Sequence, residues 1–226
     1  MAAITTTDTA LLRLMQLSSV SLPIGGYAFS QGLEYAIETG WIKKSQQVSE
    51  WLEQQLLYSV AHTDLPLLKL AMAAAEAGDD KRLIRCNDLA LACRETRELR
   101  LTDSAMGQAM NRLLVSLGIS QPLPTSGELS FVVLFGIAAQ HWRIDYSTAA
   151  LGFLWSWLEN QVAAATKLVP LGQTQAQLLL GELQPLLPQA ISLAEQVAED
   201  EIGNGLQGLA IASAGHETQY SRLFRS

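Results

Sequence analysis

The spacing of apolar residues is the feature that most constrains how this chain can fold. Leucine and alanine greatly outnumber valine and isoleucine, and apolar residues recur three and four positions apart with almost no strict alternation. Leucine and alanine favour helices, whereas β-branched residues favour strands. The pattern therefore predicts an all-α fold, a single-domain bundle of roughly ten helices joined by short connections.

Local signals predict where individual helices begin and end. Gly78-Asp79-Asp80 is expected to end one helix and start the next, and Asp145 to cap a long apolar helix running toward Lys167. The clearest break is Gly118–Gly127, which is too short to separate two domains. Its last part, Thr125-Ser126-Gly127-Glu128, has the spacing of a capping box and predicts a new helix.

Residues inside the helical pattern suggest how the helices pack. Arg94 and Glu98 stand four positions apart, so they are expected to pair weakly along one helix face. Gly107, Gly136 and Gly152 predict close helix packing, because glycine in a helix interior is otherwise costly. The alternative for these glycines is a thin spot that lines a channel or accepts a partner.

Composition and charge exclude several classes of protein. The 226 residues include 15 basic and 22 acidic side chains, giving a net charge of −7, which argues against nucleic-acid binding and against a polybasic membrane-surface protein. Hydrophobic residues make up 49% and charged residues 16%. The low charge fraction indicates either a large core or a surface that a partner covers.

The same sequence carries no sign of a membrane span or a leader. The longest uncharged apolar stretches, Leu129–Trp142 and Tyr146–Leu158, are shorter than the roughly 18 residues that a spanning helix needs. The first residues, Met1–Asp8, lack a basic region followed by an apolar one. Two cysteines make no disulfide framework. A cytoplasmic protein without a membrane partner is therefore expected.

Motifs for catalysis or cofactor binding fail on their context. Gly203–Gly208 reads G-x-G-x-x-G, but an acidic helix precedes it, so a flexible turn is expected. His216–Tyr220 begins like a zinc-protease motif and lacks the second histidine. Cys86 and Cys93 could share a helix face, although core packing is the favoured interpretation. The sequence thus predicts no catalytic residue, no metal site and no cofactor.

A Pro/Gly turn near the N-terminus, Ser21–Glu34, is not explained by core packing alone. It is dense in aromatic residues and leads into a helix. Proline and glycine are expected to fix a turn that places Tyr27 and Glu34 on a surface facing a partner. The alternative is that Tyr27 and Phe29 pack inward. The candidate partner-binding residues here are Pro23, Gly25, Tyr27 and Glu34.

The C-terminal segment 203–226 is the second such region and is predicted to be a partner-docking tail. Its end mixes tyrosine, leucine and phenylalanine with two arginines, and tyrosine and arginine dominate interface hot spots. The bundle offers the tail no obvious place, so the tail of the isolated chain is expected to be mobile, and a chain cut after Gly215 to stay folded. Tyr220 and Phe224, four apart, are expected to anchor one helical face. The tail candidates are His216, Glu217, Gln219, Tyr220, Arg222, Phe224 and Arg225.

Taken together in order, several motifs resemble the family of urease accessory proteins called UreF. The resemblance runs nearly end to end and is weakest over 108–162. The motifs that carry it are Leu22-Pro23-Ile24-Gly25-Gly26-Tyr27 with Ser30–Glu34, Thr63–Leu67, Ala92–Arg100, Lys167–Gln173, and Ala210–Ser213 with the tail from His216. Relatives often carry a larger residue where this chain has Gly215, which puts the stiffness of a hinge there in question.

The resemblance implies an all-α homodimer with no reaction of its own. Such a protein binds the accessory protein UreD, also called UreH, through a tail that orders on binding. Through that partner it recruits the GTPase UreG, and the assembly delivers nickel to apo-urease. The segment Lys167–Gln173 resembles a region that contacts UreG, which adds Lys167, Gly172 and Gln173 to the candidate residues.

Two other functions stay open at this point. One is a metallochaperone that itself binds nickel through His216, Glu217 or the two cysteines. The other is a protein that activates the GTPase or regulates its fidelity, with Arg222 or Arg225 as an arginine finger.

Overall fold

Helices make up the regular structure of the described chain, which confirms the all-α prediction. The computed structural model describes residues 7–124 and 126–226, and this part contains eleven α-helices and no β-strand. A π-helical turn, Gln55–Val60, and short 3₁₀ turns at Gly26–Ala28 and Glu199–Glu201 complete the regular structure. The α-helices are α1 Asp8–Leu17, α2 Leu33–Glu38, α3 Ser45–Gln54, α4 Asp64–Ala77, α5 Asp80–Ala92, α6 Arg97–Ser116, α7 Phe131–His141, α8 Tyr146–Leu168, α9 Gln173–Leu183, α10 Leu186–Ala194 and α11 Gln207–Glu217.

Two predicted helix boundaries are confirmed and one is wrong. Gly78 ends α4 with a left-handed φ of 64°, and the Asp79 side chain then caps α5. Asp145 caps α8 by accepting the backbone N–H of Thr148 at 2.9 Å. The predicted box 125–128 does not start a helix, because α7 begins at Phe131. Thr125 itself lies outside the described residues.

The hydrophobic core is built around α7. Phe131 to Ala139 are all buried, and this helix packs against both α4 and α6. Its phenylalanine rings join that of α8, with Phe135 and Phe153 edge to face at a centroid distance of 5.4 Å. Because α7 is apolar on every side, it fits only in the interior of the bundle.

Glycines within the helices mark close contacts, so the packing interpretation holds for them. A Cβ atom on Gly152 would lie 2.5 Å from a methyl carbon of Leu14, where α1 crosses α8. A Cβ atom on Gly107 would lie 1.8 Å from the carbonyl oxygen of Leu129. Gly136 likewise faces Ala71 and Leu68 across the contact between α7 and α4.

A buried ion cluster holds the middle of the bundle together, and it corrects the expected pair of Arg94 with Glu98. Arg94 lies between α5 and α6 and donates to Asp64 at 2.6 Å and to Asp103 at 3.0 Å. Asp103 also accepts the backbone N–H of Phe131 at 2.7 Å, which satisfies the start of α7. Burial alone would lower the pKa of the Arg94 guanidinium, but Asp103 and Asp64 outweigh burial and raise it.

Over residues 7–124 and 126–226, no helix is long and apolar enough to cross a bilayer.

Candidate functional site

The tail has a place on the bundle, contrary to the sequence prediction. Helix α11 ends at Glu217, and residues 218–226 continue as irregular chain along the body. Because the helix stops before Tyr220, this residue and Phe224 do not share a helical face. Tyr220 is fully exposed, whereas Phe224 is only 5% exposed. One of the two expected anchors is thus already buried within this chain.

Between the tail and the bundle lies a buried cluster of ionisable groups centred on His216. The imidazole is inaccessible to solvent, and its Nδ1 lies 2.7 Å from Oε2 of Glu98 while its Nε2 lies 2.9 Å from Oε2 of Glu34. Both carboxylates come from elements far away in sequence, α6 and α2. Each ring nitrogen faces a carboxylate oxygen. A neutral imidazole donates from only one nitrogen, so the second hydrogen bond requires a further proton, either on the other nitrogen or on the carboxyl group that faces it.

Arg222 completes this cluster from the tail. Its Nη1 donates to Oε1 of Glu98 at 2.8 Å, so one carboxylate of α6 holds both α11 and the tail. A buried cluster of this kind is costly to break, because removing one partner leaves an uncompensated charge.

Backbone hydrogen bonds fix the tail against the Pro/Gly turn. Glu34 accepts the N–H groups of Leu223 at 2.6 Å and Phe224 at 3.0 Å. The N–H of Arg225 donates to the carbonyl of Ala28 at 2.9 Å. The predicted surface position of Glu34 is therefore wrong, since this carboxylate is buried under the tail that it holds.

Two cations stacked on aromatic rings add to the same contact. The ammonium group of Lys167, at the end of α8, lies 5.4 Å from the centre of the Phe224 ring. The guanidinium group of Arg225 lies 5.5 Å from the centre of the Phe29 ring. Both distances fit cation–π attraction. The Lys167 segment, the turn and the tail, recognised separately in the sequence, therefore meet at one place.

The remaining candidates divide by exposure. Tyr27 is 58% exposed, as expected for a residue facing a partner. Phe29 is buried, as the inward-packing alternative expected. Gln219 is half-buried, and its Nε2 donates to the carbonyl of Ser221. Gly25 is half-buried with a φ of 75°, a left-handed conformation that favours glycine. The exposed candidates are Pro23, Lys167, Gly172, Gln173, Glu217, Tyr220, Arg222 and Arg225.

Gly215 packs inside α11 and is not a hinge. A Cβ atom there would lie 2.3 Å from the ring of Tyr35, a residue of α2. This glycine lets α11 approach α2 closely, which brings His216 within reach of Glu34. The site therefore requires a residue without a side chain at this position.

The residue that the sequence missed is Glu98. Its spacing pointed to Arg94, but Arg94 precedes α6 and turns to other partners. No local signal marks a carboxylate that receives groups from 118 and 124 positions away. The tail docking surface, defined as the tail 218–226 with Tyr27 and Lys167, rests on this buried carboxylate and on Glu34.

Side chains that could hold a metal are not brought together in the described chain. Over residues 7–124 and 126–226, no group of three or more His, Cys, Asp and Glu is arranged to hold a metal ion. Cys86 is buried in α5 and Cys93 is half-buried at its end. Burial raises the pKa of both thiols, which disfavours the thiolate form that metals bind.

The geometry defines an all-α protein whose C-terminal segment is held over an N-terminal turn by the cluster around His216. The family model of UreF matches residues 42–184. A urease accessory protein UreF from a Marinomonas species is 60% identical over 223 residues, covering 99% of this chain and 97% of the relative. Its counterpart from Hahella chejuensis is 45% identical and covers 96% of this chain and 98% of that protein. The chain belongs to the UreF family of urease accessory proteins.

Proposed function

We propose that this protein is a non-catalytic scaffold of urease maturation in the cytoplasm, and that its tail docking surface binds the accessory protein UreD, also called UreH. One observation carries the proposal. Tyr220 is fully exposed and Leu223 is 64% exposed, although the backbone N–H of Leu223 donates to the buried carboxylate of Glu34. Tyrosine held in place on a fixed backbone offers contact area at low entropic cost.

The chemistry of this surface indicates what the partner presents. Lys167, Arg222 and Arg225 are exposed around the apolar groups, on a chain whose net charge is −7. A partner surface with apolar pockets and carboxylates would complement this basic rim. The docked arrangement of the tail removes part of the ordering cost that an irregular segment otherwise meets on binding.

We infer that the GTPase UreG is recruited beside this surface, by the segment Lys167–Gln173. Gly172 and Gln173 are exposed at the start of α9. Lys167 contacts Phe224 of the tail, so a partner on the tail and a partner on this segment would be neighbours. In this assembly nickel is the cargo that reaches apo-urease.

We also propose that the protein acts as a homodimer. Helix α1 buries Ala10, Leu14 and Leu17 on one side. On its other side Leu12 is 67% exposed and Met15 is 64% exposed. An apolar helix face on a chain with few charges is typical of a surface that another subunit covers.

The docking proposal is tested by removing the two exposed side chains without disturbing the buried cluster. A chain cut after Gly215 is a poor test, because it also removes His216 from between two carboxylates. In Tyr220→Ala with Leu223→Ala, we expect an unchanged circular dichroism spectrum and an affinity for UreD/UreH at least about 30-fold weaker. Leu178→Ala on α9, where the leucine is 68% exposed, is the matched control. Unchanged affinity of the double variant for UreD/UreH would mean that the docking element lies on the bundle.

Two further measurements separate the proposed function from its alternatives. Tight stoichiometric nickel binding by the chain alone would favour a metallochaperone. A rise of several decades in UreG hydrolysis, lost in Arg225→Ala, would favour an arginine finger.

A further inference from the structure

His216 makes one hydrogen bond more than a neutral imidazole can donate. Its Nδ1 lies 2.7 Å from Oε2 of Glu98, and its Nε2 lies 2.9 Å from Oε2 of Glu34. Ionised carboxylates only accept hydrogen bonds, and a neutral imidazole donates from one nitrogen. The three side chains therefore satisfy both contacts only when they hold one proton more than a neutral histidine and two ionised glutamates.

Solvent does not supply the second hydrogen. The imidazole of His216 is inaccessible to water, and Glu34 and Glu98 are both buried. Without the added proton, a nitrogen lone pair would face a carboxylate oxygen at hydrogen-bond distance. Two buried acceptors in that position repel each other and lack a donor, which is costly. The added proton turns this contact into a hydrogen bond.

The charges around the imidazole favour the added proton. Helices α2 and α6 and the tail contribute the ionisable side chains that lie against His216 or its partners, and these are Glu34, Tyr35, Glu98 and Arg222. On α11 itself, the neighbouring Glu217 is exposed. Lys167 and Arg225 lie over the rings of Phe224 and Phe29. Two carboxylates against the one guanidinium of this group carry a negative charge that an added proton neutralises.

The proton belongs to the docked state, because the cluster joins the body of the protein to its C-terminal segment. The body contributes the carboxylates of Glu34 and Glu98. The segment contributes the groups that meet them, from His216, Arg222, Leu223 and Phe224. Apart from the body, His216 is an ordinary histidine, which is mostly neutral at pH 7, whereas glutamates are ionised. Docking thus brings together groups that bind one further proton.

We propose that docking of the tail takes up one proton, so that the tail docking surface is held firmly near neutral pH and loosens as the pH rises. This linkage is a property of the chain itself and needs no partner. Its consequence for assembly, a weaker affinity for UreD/UreH at alkaline pH, rests on the proposed function.

Proton linkage fixes the sign and the size of the effect. The docked state becomes less stable with rising pH wherever it binds more protons than the separated state. Between pH 7 and 8 the difference is one proton, so the docking equilibrium constant should fall nearly tenfold. Below about pH 6 the separated histidine takes up a proton of its own, and the dependence should level off.

Hydrogen exchange of the tail amides in the isolated full-length protein measures this constant. The N–H groups of Leu223 and Phe224 donate to Glu34, so their protection from exchange reports docking. Dividing each observed rate by the intrinsic rate at the same pH removes the pH dependence of the exchange chemistry. We expect protection to fall nearly tenfold from pH 7 to 8 and to change less than about twofold from pH 5 to 6. The series stops at pH 8, below the ordinary titration of thiols at about 8.5.

The variant Glu98→Gln supplies the second hydrogen permanently. Its amide nitrogen can donate to Nδ1 of His216 while its amide oxygen accepts from Arg222, and the neutral imidazole then donates from Nε2 to Glu34. All three hydrogen bonds are made without an added proton. Protection of the tail amides should therefore stay within about twofold between pH 7 and 8 in this variant. Glu217→Gln, the same change at the exposed neighbouring position, is the matched control and should keep the nearly tenfold fall.

A second variant removes the ring and serves if Glu98→Gln does not fold. His216→Gln should also show no fall between pH 7 and 8, whereas His141→Gln, at an exposed histidine, should behave like the native protein. Constant protection of the native tail between pH 7 and 8 would overturn the proposal. A fall that persists in both Glu98→Gln and His216→Gln would assign the proton to another group and overturn it equally. These measurements contain no UreD/UreH, so their outcome is independent of the docking proposal.

Discussion

The Nε2 atom of His216 lies 2.9 Å from a carboxylate oxygen of Glu34, across 182 positions of sequence. This contact joins the start of α2 to the end of α11, and the second ring nitrogen repeats it with Glu98 of α6. One solvent-inaccessible imidazole thus connects three helices. Two of the groups that hold the tail, the carboxylates of Glu34 and Glu98, are buried and out of a partner's reach.

Replacing His216 with leucine should destabilise the protein more than any exposed tail substitution. The change removes a hydrogen-bond partner of two buried carboxyl groups, Glu34 and Glu98, and leaving a buried polar group unsatisfied costs about 1–3 kcal/mol for each group. Urea unfolding followed by circular dichroism measures the loss. Glu217→Gln, at the exposed neighbouring position, should change stability by less than about 0.5 kcal/mol. Equal stability of His216→Leu and the native protein would contradict a stabilising role for these two hydrogen bonds.

Gly215→Ala should disturb the tail through α2. The new methyl group would overlap the ring of Tyr35, and overpacking of this kind costs about 1–3 kcal/mol. Gly208→Ala on the same helix has free space and should instead stabilise α11, by up to about 1 kcal/mol. Thermal unfolding of the two variants gives shifts of opposite sign. Shifts of the same sign would show that Tyr35 does not restrict α11.

Helices and segments of interest could be predicted from the sequence because their signals are local. Gly78 and Asp145 act within one turn of helix, so their caps are found where expected. The turn, Lys167 and the tail were recognised one by one from residue types and from motifs. Each such signal depends on neighbours a few positions away, which a single sequence displays directly.

The arrangement of the site could not be predicted, because its contacts span most of the chain. The four-residue spacing of Arg94 and Glu98 was misleading, since α6 begins at Arg97 and leaves Arg94 outside the helix. The spacing of Tyr220 and Phe224 failed for the same reason, as α11 has already ended. Periodicity has meaning only within an element, and element ends are the least reliable part of a sequence-based prediction.

Substitutions at Lys167 should separate its charge from its length. In Lys167→Met the stem is kept and the attraction to the Phe224 ring is lost, which costs about 0.5–1 kcal/mol of tail docking. Lys167→Arg keeps a cation above the ring and should restore most of it. Hydrogen exchange of the tail amides, read by mass spectrometry, measures docking. If tail exchange in both Lys167→Met and Lys167→Arg matches that of the native protein, Lys167 does not hold the tail through the Phe224 ring. A defect in UreG recruitment confined to Lys167→Met would then not be caused by loss of tail docking.

Glu159, half-buried on α8, gives a prediction for pH dependence. Burial raises the pKa of this carboxyl group above its ordinary value. A raised pKa in the folded state means that folding disfavours the ionised form, so at neutral pH the charge opposes folding. Glu159→Gln should therefore raise the melting temperature at pH 7. The advantage should shrink as the pH falls through the folded-state pKa and vanish below the ordinary value, where the native carboxyl is neutral in both states. Melting curves between pH 7 and about pH 4 measure the difference, and a gain that grows on acidification would reverse the assigned sign.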